Sequence, residues 1–497
     1  MATLSAAPVG EVRRFELPFT ASASALTNPE LGLVSVAQRR GPHAAYRMDV
    51  TLLDAPDHRL IRAGIWLAHR IVDGWGEWYL AAPDWAPLLP TERIEQMGHA
   101  DLPESLANLV RPFRRGATLG PVAALTCERI EYVLRGRTPE PLAVLRNEAV
   151  TVRRGGVATA RYREVTVTGS PALGAEQLQW LTDALLAVGA TRVDSFPSIA
   201  TRLGAPATGL TDLPEPEPWG RRSALEDTVS AIFAGALLDL TRADLACRTG
   251  MRNAGRKLVK KLRRVAHQVG ALAPVLDERW ASELRTDLLW ITNSLRGPQD
   301  RRNPDRAGAD QPEPTEPDLA QLNGERYLGM LDRLAQAVRS PKLGDSSRLP
   351  TGTVMKKLRR DAAAALAAAC ERLTIAPAGA STAEQRYAQR RVDTRWAGSL
   401  NAAEHLLDVI ELQPEKSKQD KQLRRWLRAA LALLEQCVGL DPEQRYAEVE
   451  DLTAVDAFDA GREFEQAWAA QLSARQQFLA QWRSEGRRWV GEPAEAT

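Results

Sequence analysis

A proline-rich segment of low apolar content divides the chain into two parts with different residue patterns. The segment GAPATGLTDLPEPEPWGRR, at 204–222, contains four prolines, and proline disrupts both helices and central strands. Short β-branched and aromatic runs precede the segment, whereas a helical period follows it almost throughout. A chain of 497 residues with 44% hydrophobic content is long enough for two or three domains. We therefore predict two domains that meet at this segment.

Short runs with strand-like composition, separated by Gly, Pro and Asp, occupy residues 45–168. This spacing is typical of antiparallel strands that close into a barrel or a strongly curved sheet. Two helices, at 102–115 and 175–188, interrupt or flank the strands. The predicted fold class is α+β, with an N-terminal antiparallel β-barrel followed by an all-α helical bundle. The predicted strands are YRMDVTLLD, LIRAGIWLAHR, WYLAA, VAALTCERIEYVL, LAVLRNEAVTV and ARYREVTVT.

Alanine- and leucine-rich segments with helical periodicity fill the second part of the chain. A polar, proline-rich stretch at 297–318 interrupts them and is predicted to be a loop or disordered insert. The predicted domains are the barrel at 8–205, the linker at 206–222 and the helical domain at 223–491. The predicted helices cover 223–247, 253–273, 279–295, 319–339, 354–373, 383–410, 419–438 and 453–491.

One of these helices collects positive charge. Between Asp244 and Asp277 the chain has no acidic residue but eight arginines and lysines, although its net charge is only +2. Five basic side chains fall within about 80° of arc on one helical face, and apolar side chains line the opposite face. The basic face contains Arg252, Arg256, Lys260, Arg263 and His267, and the apolar face Leu258, Leu262, Val265, Val269 and Leu272. This composition indicates a polyanion as ligand.

Three further helices carry basic tracts, namely VMKKLRRDA at 354–362, RYAQRRVDTRW at 386–396 and KSKQDKQLRRWLRAAL at 416–431. Stripes of this kind can converge on one groove in a bundle. The competing interpretation is that they are ordinary solvated helix faces. The predicted anion-binding residues of the four helices are Arg252, Arg256, Lys257, Lys260, Arg263, Arg264, Lys356, Lys357, Arg359, Arg360, Arg391, Arg395, Lys421, Arg424, Arg425 and Arg428.

Other classes of site and location find little support in the sequence. The six histidines are scattered without HxxxH or HxH pairs, and the four cysteines lack the spacing of a zinc site, so we predict no metal site. We predict the cysteines to be buried thiols. No apolar run is long enough to span a bilayer, and the first residues lack the order of a secretory signal. The expected location is the cytoplasm, without membrane contact.

The first part of the chain resembles the CYTH, or triphosphate-tunnel, family. LLDAPDHRLIRAGIWLAHR at 52–70 is similar to that family's YYDTPDLRLxRxGxxLRxR, and GWGEWYLAAP at 74–83 to its WxLKLP. The match continues through YREVTV at 162–167 and SIATRLG at 198–204. The resemblance implies a barrel that binds or cleaves triphosphates, with a divalent metal on paired glutamates.

The chain departs from that family at the residues that carry its chemistry. The Glu-x-Glu-x-Lys positions correspond to Gly10, Val12 and Arg14, or in the other register to Glu11, Arg13 and Phe15, so neither keeps the carboxylate pair. In the later strand, Glu164 is followed by Thr166 in place of a second glutamate. Without these carboxylates we predict that the barrel is not an enzyme, because phosphoryl transfer needs metal and basic groups to neutralise charge. The predicted remnant of an anion site is Arg14, Arg62, Arg70, Arg163, Glu164 and Arg202.

The second part resembles a CHAD domain, whose halves carry patterns like VHxLRVAxRRLR and LHxxRxAAKRLRY. RKLVKKLRR at 256–264 is similar to the first pattern and YAQRRVDTRWAGSL at 387–400 to the second, although Arg256 and Ala388 replace the family histidines. Fused CYTH and CHAD modules are a bacterial arrangement. The CHAD resemblance implies binding of inorganic polyphosphate.

We therefore predict a non-catalytic polyphosphate-binding protein, acting on polyphosphate granules or as a scaffold, without a cofactor. One alternative is a divergent triphosphatase of the CYTH family, which would require Mg²⁺ or Mn²⁺. A second alternative is an interaction scaffold for RNA or an acidic protein partner.

Overall fold

The structure is a computed structural model that describes residues 10–21, 26–41, 44–97, 101–295, 319–375, 383–413, 417–439 and 453–490. The chain forms two compact units. The first unit comprises Met1–Pro214, Thr241–Ala254 and Glu316–Asp332, and the second comprises Glu215–Leu240, Gly255–Thr315 and Arg333–Thr497. The boundaries predicted around the 206–222 linker stay a prediction, and the predicted insert at 297–318 lies outside the described residues.

The N-terminal part forms strands separated by short helices. The helices of this part are α1 (Arg59–Arg62), α2 (Glu104–Arg114), α3 (Ala175–Ala187) and α4 (Ile199–Leu203). The strands are β1 (Val12–Leu17), β2 (Ser35–Gln38), β3 (Ala45–Asp54), β4 (Trp66–Val72), β5 (Trp75–Ala81), β6 (Glu92–Gln96), β7 (Gly120–Arg135), β8 (Pro141–Arg154), β9 (Val157–Gly169) and β10 (Thr191–Val193).

All of these strands belong to one antiparallel sheet, in the order β10, β1, β9, β8, β7, β3, β4, β5, β6. The four residues of β2 pair with residues 132–135 at the end of β7. The part of β7 that pairs with β3 ends before them, at Ile130. Within the described residues β6 and β10 do not pair with each other, so the sheet is open. The predicted closure into a barrel is wrong, because closure needs a hydrogen-bonded ladder between the edge strands, and β10 pairs only with β1. The predicted α+β class, with a helical C-terminal region after the sheet, is confirmed.

Apolar side chains cover both faces of the sheet. On one face, Phe15 of β1 and Val165 of β9 pack with Leu181 of α3. On the other face, Val150 and Val152 of β8 pack in one cluster with Ile199 and Leu203 of α4. Because side chains alternate along a strand, these two clusters lie on opposite sides of the sheet. We call the side covered by α4 the inner face.

The segment predicted as one strand at 60–70 begins as a helix. The buried carboxylate of Asp54, at the end of β3, accepts hydrogen bonds from the backbone N–H groups of Leu60 (3.0 Å) and Ile61 (2.9 Å). These bonds satisfy donors that the first turn of a helix leaves free. The chain therefore turns through α1, and the strand β4 starts only at Trp66.

The C-terminal part is helical, as predicted. None of its described helices is apolar over a length that could cross a membrane. The helices are α5 (Leu225–Arg248), α6 (Ala254–Leu272), α7 (Glu278–Ser294), α8 (Leu319–Asn323), α9 (Glu325–Arg339), α10 (Thr351–Glu371), α11 (Ala383–Leu412), α12 (Lys418–Gln436), α13 (Ala454–Gln481) and α14 (Arg487–Val490), with a π-helical turn at Trp482–Gly486 before α14.

The helices α10, α11 and α12 pack as antiparallel neighbours. Trp396 Nε1, in the first half of α11, donates to the carbonyl oxygen of Thr374 just after α10, at 3.1 Å. At the other end of α11, Glu411 forms an ion pair with Arg428 of α12 at 2.7 Å. The end of α10 therefore lies beside the beginning of α11.

The four cysteines are buried and unpaired, as predicted. Burial raises the pKa of the Cys127 thiol to about 11 and that of Cys247, Cys370 and Cys437 to about 12. The thiols therefore stay protonated at neutral pH, and a protonated buried thiol is a poor nucleophile.

A fully buried ion pair lies in the first unit. Arg248 Nε donates to the Asp244 carboxylate at 2.7 Å, and both side chains are 0% exposed. The Tyr327 hydroxyl donates to the same carboxylate at 3.1 Å, and Arg248 Nη1 donates to Asn323 Oδ1 at 2.8 Å. The pair therefore connects the end of α5 to α8 and α9.

We expect Arg248→Met to destabilise the first unit by about 3–5 kcal/mol, because it leaves the Asp244 carboxylate buried without its counter-ion. Chemical denaturation followed by circular dichroism measures the change. Arg279→Met is the control, since the Arg279–Glu283 pair is solvent-exposed, and we expect no measurable change. A stability equal to that of the parent in Arg248→Met contradicts a structural role for the buried pair.

Candidate anion-binding surfaces

The basic face of α6 is exposed because its apolar face is buried. Leu258, Leu262, Val265, Val269 and Leu272 are at most 2% exposed, as the helical period predicted. The opposite face is left to solvent. The predicted residues of this helix that lie exposed are Arg256, Lys257, Lys260, Arg263 and Arg264, and Arg252 lies exposed in the turn before it.

A second group of cations lies where α10 and α12 begin. Arg359 of α10 forms an ion pair with Asp420, in the first turn of α12. The same carboxylate caps α12 together with Ser417, and these hydrogen bonds and Arg359 hold the pKa of Asp420 below its usual value although burial opposes them. The two helix beginnings are thus held together. The cations around this pair are Lys356, Lys357 and Arg360 on α10 and Lys421, Arg424 and Arg425 on α12.

A third group, Arg391 and Arg395, lies exposed on the first half of α11. The contact between Trp396 and Thr374 places this half beside the end of α10. The middle of α12 contacts the far end of α11, where Arg428 pairs with Glu411. Sixteen helical residues separate Arg395 from Glu411, which corresponds to about 24 Å. A single groove lined by the second and third groups together stays a prediction.

Most of the predicted helical cations have no carboxylate partner in the part of the chain that the structure describes. The exceptions are Arg359 with Asp420, Arg360 with the adjacent Asp361 and Arg428 with Glu411, and Arg252, which has a partner of its own. The others are Arg256, Lys257, Lys260, Arg263, Arg264, Lys356, Lys357, Arg391, Arg395, Lys421, Arg424 and Arg425. Unpaired surface cations of this number are available to an anionic ligand.

The inner face of the sheet carries a row of charged residues in direct register. Glu16 of β1 lies opposite Glu164 of β9, which lies opposite Glu148 of β8, and Arg129 of β7 follows in the same row. Residues in direct register point to the same face of a sheet. Arg129 forms an ion pair with Glu148. Three carboxylates from three strands are therefore side by side.

Arg202 of α4 neutralises two of these carboxylates. Its guanidinium forms ion pairs with Glu16 and with Glu164, the latter at 3.0 Å. It also lies over the ring of Tyr162, 4.1 Å from the centroid. Burial raises the pKa of Glu164, Arg202 opposes that rise, and Glu148 and Glu16 add to it. The Glu164 carboxylate is thus held by one cation in a row of like charges.

The other arginines of the predicted remnant are also occupied. Arg70 forms an ion pair with Glu77 and lies over the Tyr79 ring at 3.7 Å. Arg163 donates to Asn147 Oδ1 at 2.7 Å and to a backbone carbonyl, and Arg14 donates to the Asp194 carbonyl at 3.2 Å. Arg62 lies on α1, not on the sheet, and pairs with Asp57 and Asp212 at 3.1 Å. An anion at Arg14, Arg70 or Arg163 would have to displace an existing partner.

Sequence reasoning missed Glu16, Glu148 and Arg129 as members of the charged row. Glu16 stands between the buried Phe15 and Leu17, and this alternation was the available signal that it faces the other side of the strand. The motif comparison placed the first strand's carboxylates further towards the N-terminus. Among the described residues no group of three or more His, Cys, Asp or Glu side chains is arranged to hold a metal ion.

No protein-family model matches the chain, and no curated protein matches it. Solved structures that are similar include a candidate adenylate cyclase from Bacillus halodurans, 13% identical, covering 32% of this chain and 84% of that one with a TM-score of 0.21. A candidate adenylyl cyclase from Hippeastrum, described as having a dominant triphosphatase activity, is 13% identical over 38% of this chain and 91% of that one, with a TM-score of 0.19. A candidate adenylate cyclase from Vibrio parahaemolyticus is 12% identical over 40% and 98%, with a TM-score of 0.18.

These structures cover at most 40% of this chain, and at these TM-scores the likeness carries no argument. The CHAD resemblance of the helical part stays a prediction.

The contact between α6 and α11 is expected to depend on pH. His267 Nδ1 lies 2.9 Å from the Asp408 carboxylate, and this hydrogen bond raises the pKa of His267 although burial opposes it. The stabilisation is therefore fully present below about pH 6.5 and is lost as the pH rises through the folded-state pKa. Because the imidazole is half exposed, we expect less than about 1 kcal/mol.

Unfolding midpoints of the parent and of His267→Gln, compared at acidic and at alkaline pH, measure this contribution. The two proteins should differ at the acidic pH and agree at the alkaline pH. A difference that is the same at both pH values contradicts the ion pair.

Proposed function

We propose that this protein binds inorganic polyphosphate without cleaving it, through the exposed cations of α6, α10, α11 and α12. One observation supports this proposal most directly. The predicted helical cations are largely without carboxylate partners in the described residues, whereas the predicted arginines of the sheet are all occupied. Among the predicted residues, the positive charge without a carboxylate partner therefore lies mostly on the helices.

A long linear polyanion suits this distribution of charge. Each lysine or arginine that contacts a phosphate releases counter-ions, so affinity depends on the number of contacts more than on exact geometry. Arginine adds bidentate hydrogen bonds to phosphate oxygens. The predicted cations lie on four helices, and an extended ligand can contact more of them at once than a compact anion can. As part of this proposal, the helical region is a CHAD-like module, and the protein acts in the cytoplasm on polyphosphate granules or as a scaffold.

The basic face of α6 provides the direct test. We expect the quadruple variant Arg256→Ala, Lys260→Ala, Arg263→Ala and Arg264→Ala to bind long-chain polyphosphate at least about tenfold more weakly at low salt. The slope of log affinity against log salt should become shallower by about three, since each lost phosphate contact removes somewhat less than one. Fluorescence anisotropy with labelled polyphosphate over a salt series measures both quantities.

A charge-matched variant separates this face from a general effect of net charge. Arg39, Arg47, Arg279 and Arg487 are exposed but already form ion pairs, and replacing these four by alanine removes the same charge. We expect this control to retain most of the affinity. If the α6 variant binds as well as the parent at low salt, the proposal is wrong. Competition by RNA at matched ionic strength tests the interaction-scaffold alternative, because RNA uses the same counter-ion release.

A second candidate function, a divergent metal-dependent triphosphatase, would use the row of carboxylates on the inner face. It requires these side chains to move together, since no group of three in the described residues is arranged to hold a metal ion. Glu16, Glu148 and Glu164 are in direct register, and carboxylate oxygens are the ligands that Mg²⁺ prefers. In this function, Arg202 would exchange its carboxylate partners for phosphate oxygens when the metal binds.

Phosphate release from inorganic triphosphate with Mg²⁺ or Mn²⁺ tests the second candidate. If the sheet is catalytic, release is steady in the parent and falls at least about a hundredfold in Glu164→Gln, since the metal loses a charged ligand. Glu95→Gln serves as a control on the outer face of the edge strands. Polyphosphate binding without any release, the result we expect, rules this candidate out.

A further inference from the structure

The end of the sheet at which β3 and β8 terminate holds a cluster of buried nitrogen atoms. His58, in the turn between β3 and α1, adopts a left-handed backbone with φ 57° and is 5% exposed. Arg62, one turn further on, has a side chain that is only 8% exposed. Burial lowers the pKa of His58, and the charge of Arg154, the last residue of β8, lowers it further.

These three side chains present polar nitrogen atoms that have no hydrogen-bond partner in the described part of the chain. His58 Nδ1, Arg62 Nε, and Arg154 Nε and Nη2 are buried and have no hydrogen-bond partner there. Arg62 still pairs through Nη2 with Asp57 and Asp212. Arg154 meets no carboxylate, and its Nη1 donates only to the Ala205 carbonyl at 3.3 Å. Buried polar groups are nearly always satisfied by protein, water or an ion, so this concentration in one place calls for an acceptor.

The segment 205–209 borders the same cluster of buried nitrogen atoms. Ala205 accepts from Arg154, and Gly209 lies so close to Arg62 that a Cβ there would stand 3.4 Å from Arg62 Cδ and 3.0 Å from the Pro206 carbonyl oxygen. The glycine thus permits the chain to pass directly beside the arginine. The cluster is enclosed by α1, the tip of β8 and this segment.

We propose that His58, Arg62 and Arg154 bind a small oxyanion of the phosphate class. An oxyanion accepts several N–H hydrogen bonds at once, which water does less completely, and it offsets the charge of Arg154. A metal cation is excluded by the local charge, since two guanidinium groups face the cluster. The site is separate from the charged row of the inner face, because Arg154 is six positions beyond Glu148 in β8, about 20 Å along an extended strand. Its residues are also different from the helical cations of the proposed function.

Inorganic phosphate is the probe, used with the full chain and compared with chloride at equal ionic strength. At about ten times its Kd, phosphate should raise the unfolding temperature of the parent by about 2–5 °C more than chloride does. Arg154→Gln should lose most of this rise. Arg153→Gln is the matched control, since Arg153 is the preceding residue of β8, points to the opposite face and donates to Thr126 Oγ1; it should keep the rise.

A second variant covers the case in which Arg154→Gln does not fold. His58→Asn keeps the left-handed turn, because asparagine tolerates positive φ, and removes the imidazole; it should weaken phosphate binding several-fold by isothermal titration. The proposal is overturned if phosphate stabilises the parent no more than chloride does, or if Arg154→Gln and His58→Asn bind phosphate as Arg153→Gln does. The quadruple α6 variant should keep the phosphate response. Loss of the response in that variant would place phosphate on the helices and also overturn the proposal.

Discussion

The pairing of guanidinium groups with carboxylates decides which positive charges of this protein are available to a ligand. On the inner face of the sheet, Arg202 holds Glu16 and Glu164, and Arg129 holds Glu148. Half-buried charges are stable only when they are paired. The charged row of the sheet therefore pairs its own charges, whereas most of the predicted helical cations have no carboxylate partner in the described residues. The proposed polyphosphate binding uses the helical cations, and the second candidate function, a triphosphatase, uses the carboxylates of the sheet.

Most of the helical cations lack a carboxylate partner in the described residues, because the amphipathic pattern assigns them to solvent. On α6, burial of Leu258 and its neighbours leaves Arg256 and Lys260 outside. The antiparallel packing of α10, α11 and α12 then spreads the basic groups along the helices, since a stripe near the start of one helix lies beside the end of the next. The result is an extended basic surface suited to a linear polyanion more than to a compact one.

The helices and most strands were predictable, because their apolar periodicity extends over many residues. The segment at 60–70 was not, since the hydrogen bonds of the Asp54 carboxylate that turn it into α1 come from the end of the preceding strand. The residues of the helical stripes could be named from the sequence, and so could Glu164 and Arg202. That Glu16 and Glu148 lie beside Glu164 could not be predicted, because the register between strands that are distant in sequence depends on how they pair.

The sequence by itself determined the α+β class, the buried face of each long helix and the concentration of basic residues opposite that face, because these depend on local periodicity. Only the tertiary structure decided that the sheet is open, that Glu16, Glu164 and Glu148 lie in one row, and that His58, Arg62 and Arg154 surround one place. The physical reason is that hydrogen-bonded pairing and burial bring together residues far apart in the chain. Whether a cation is neutralised depends on those partners and not on its neighbours in sequence.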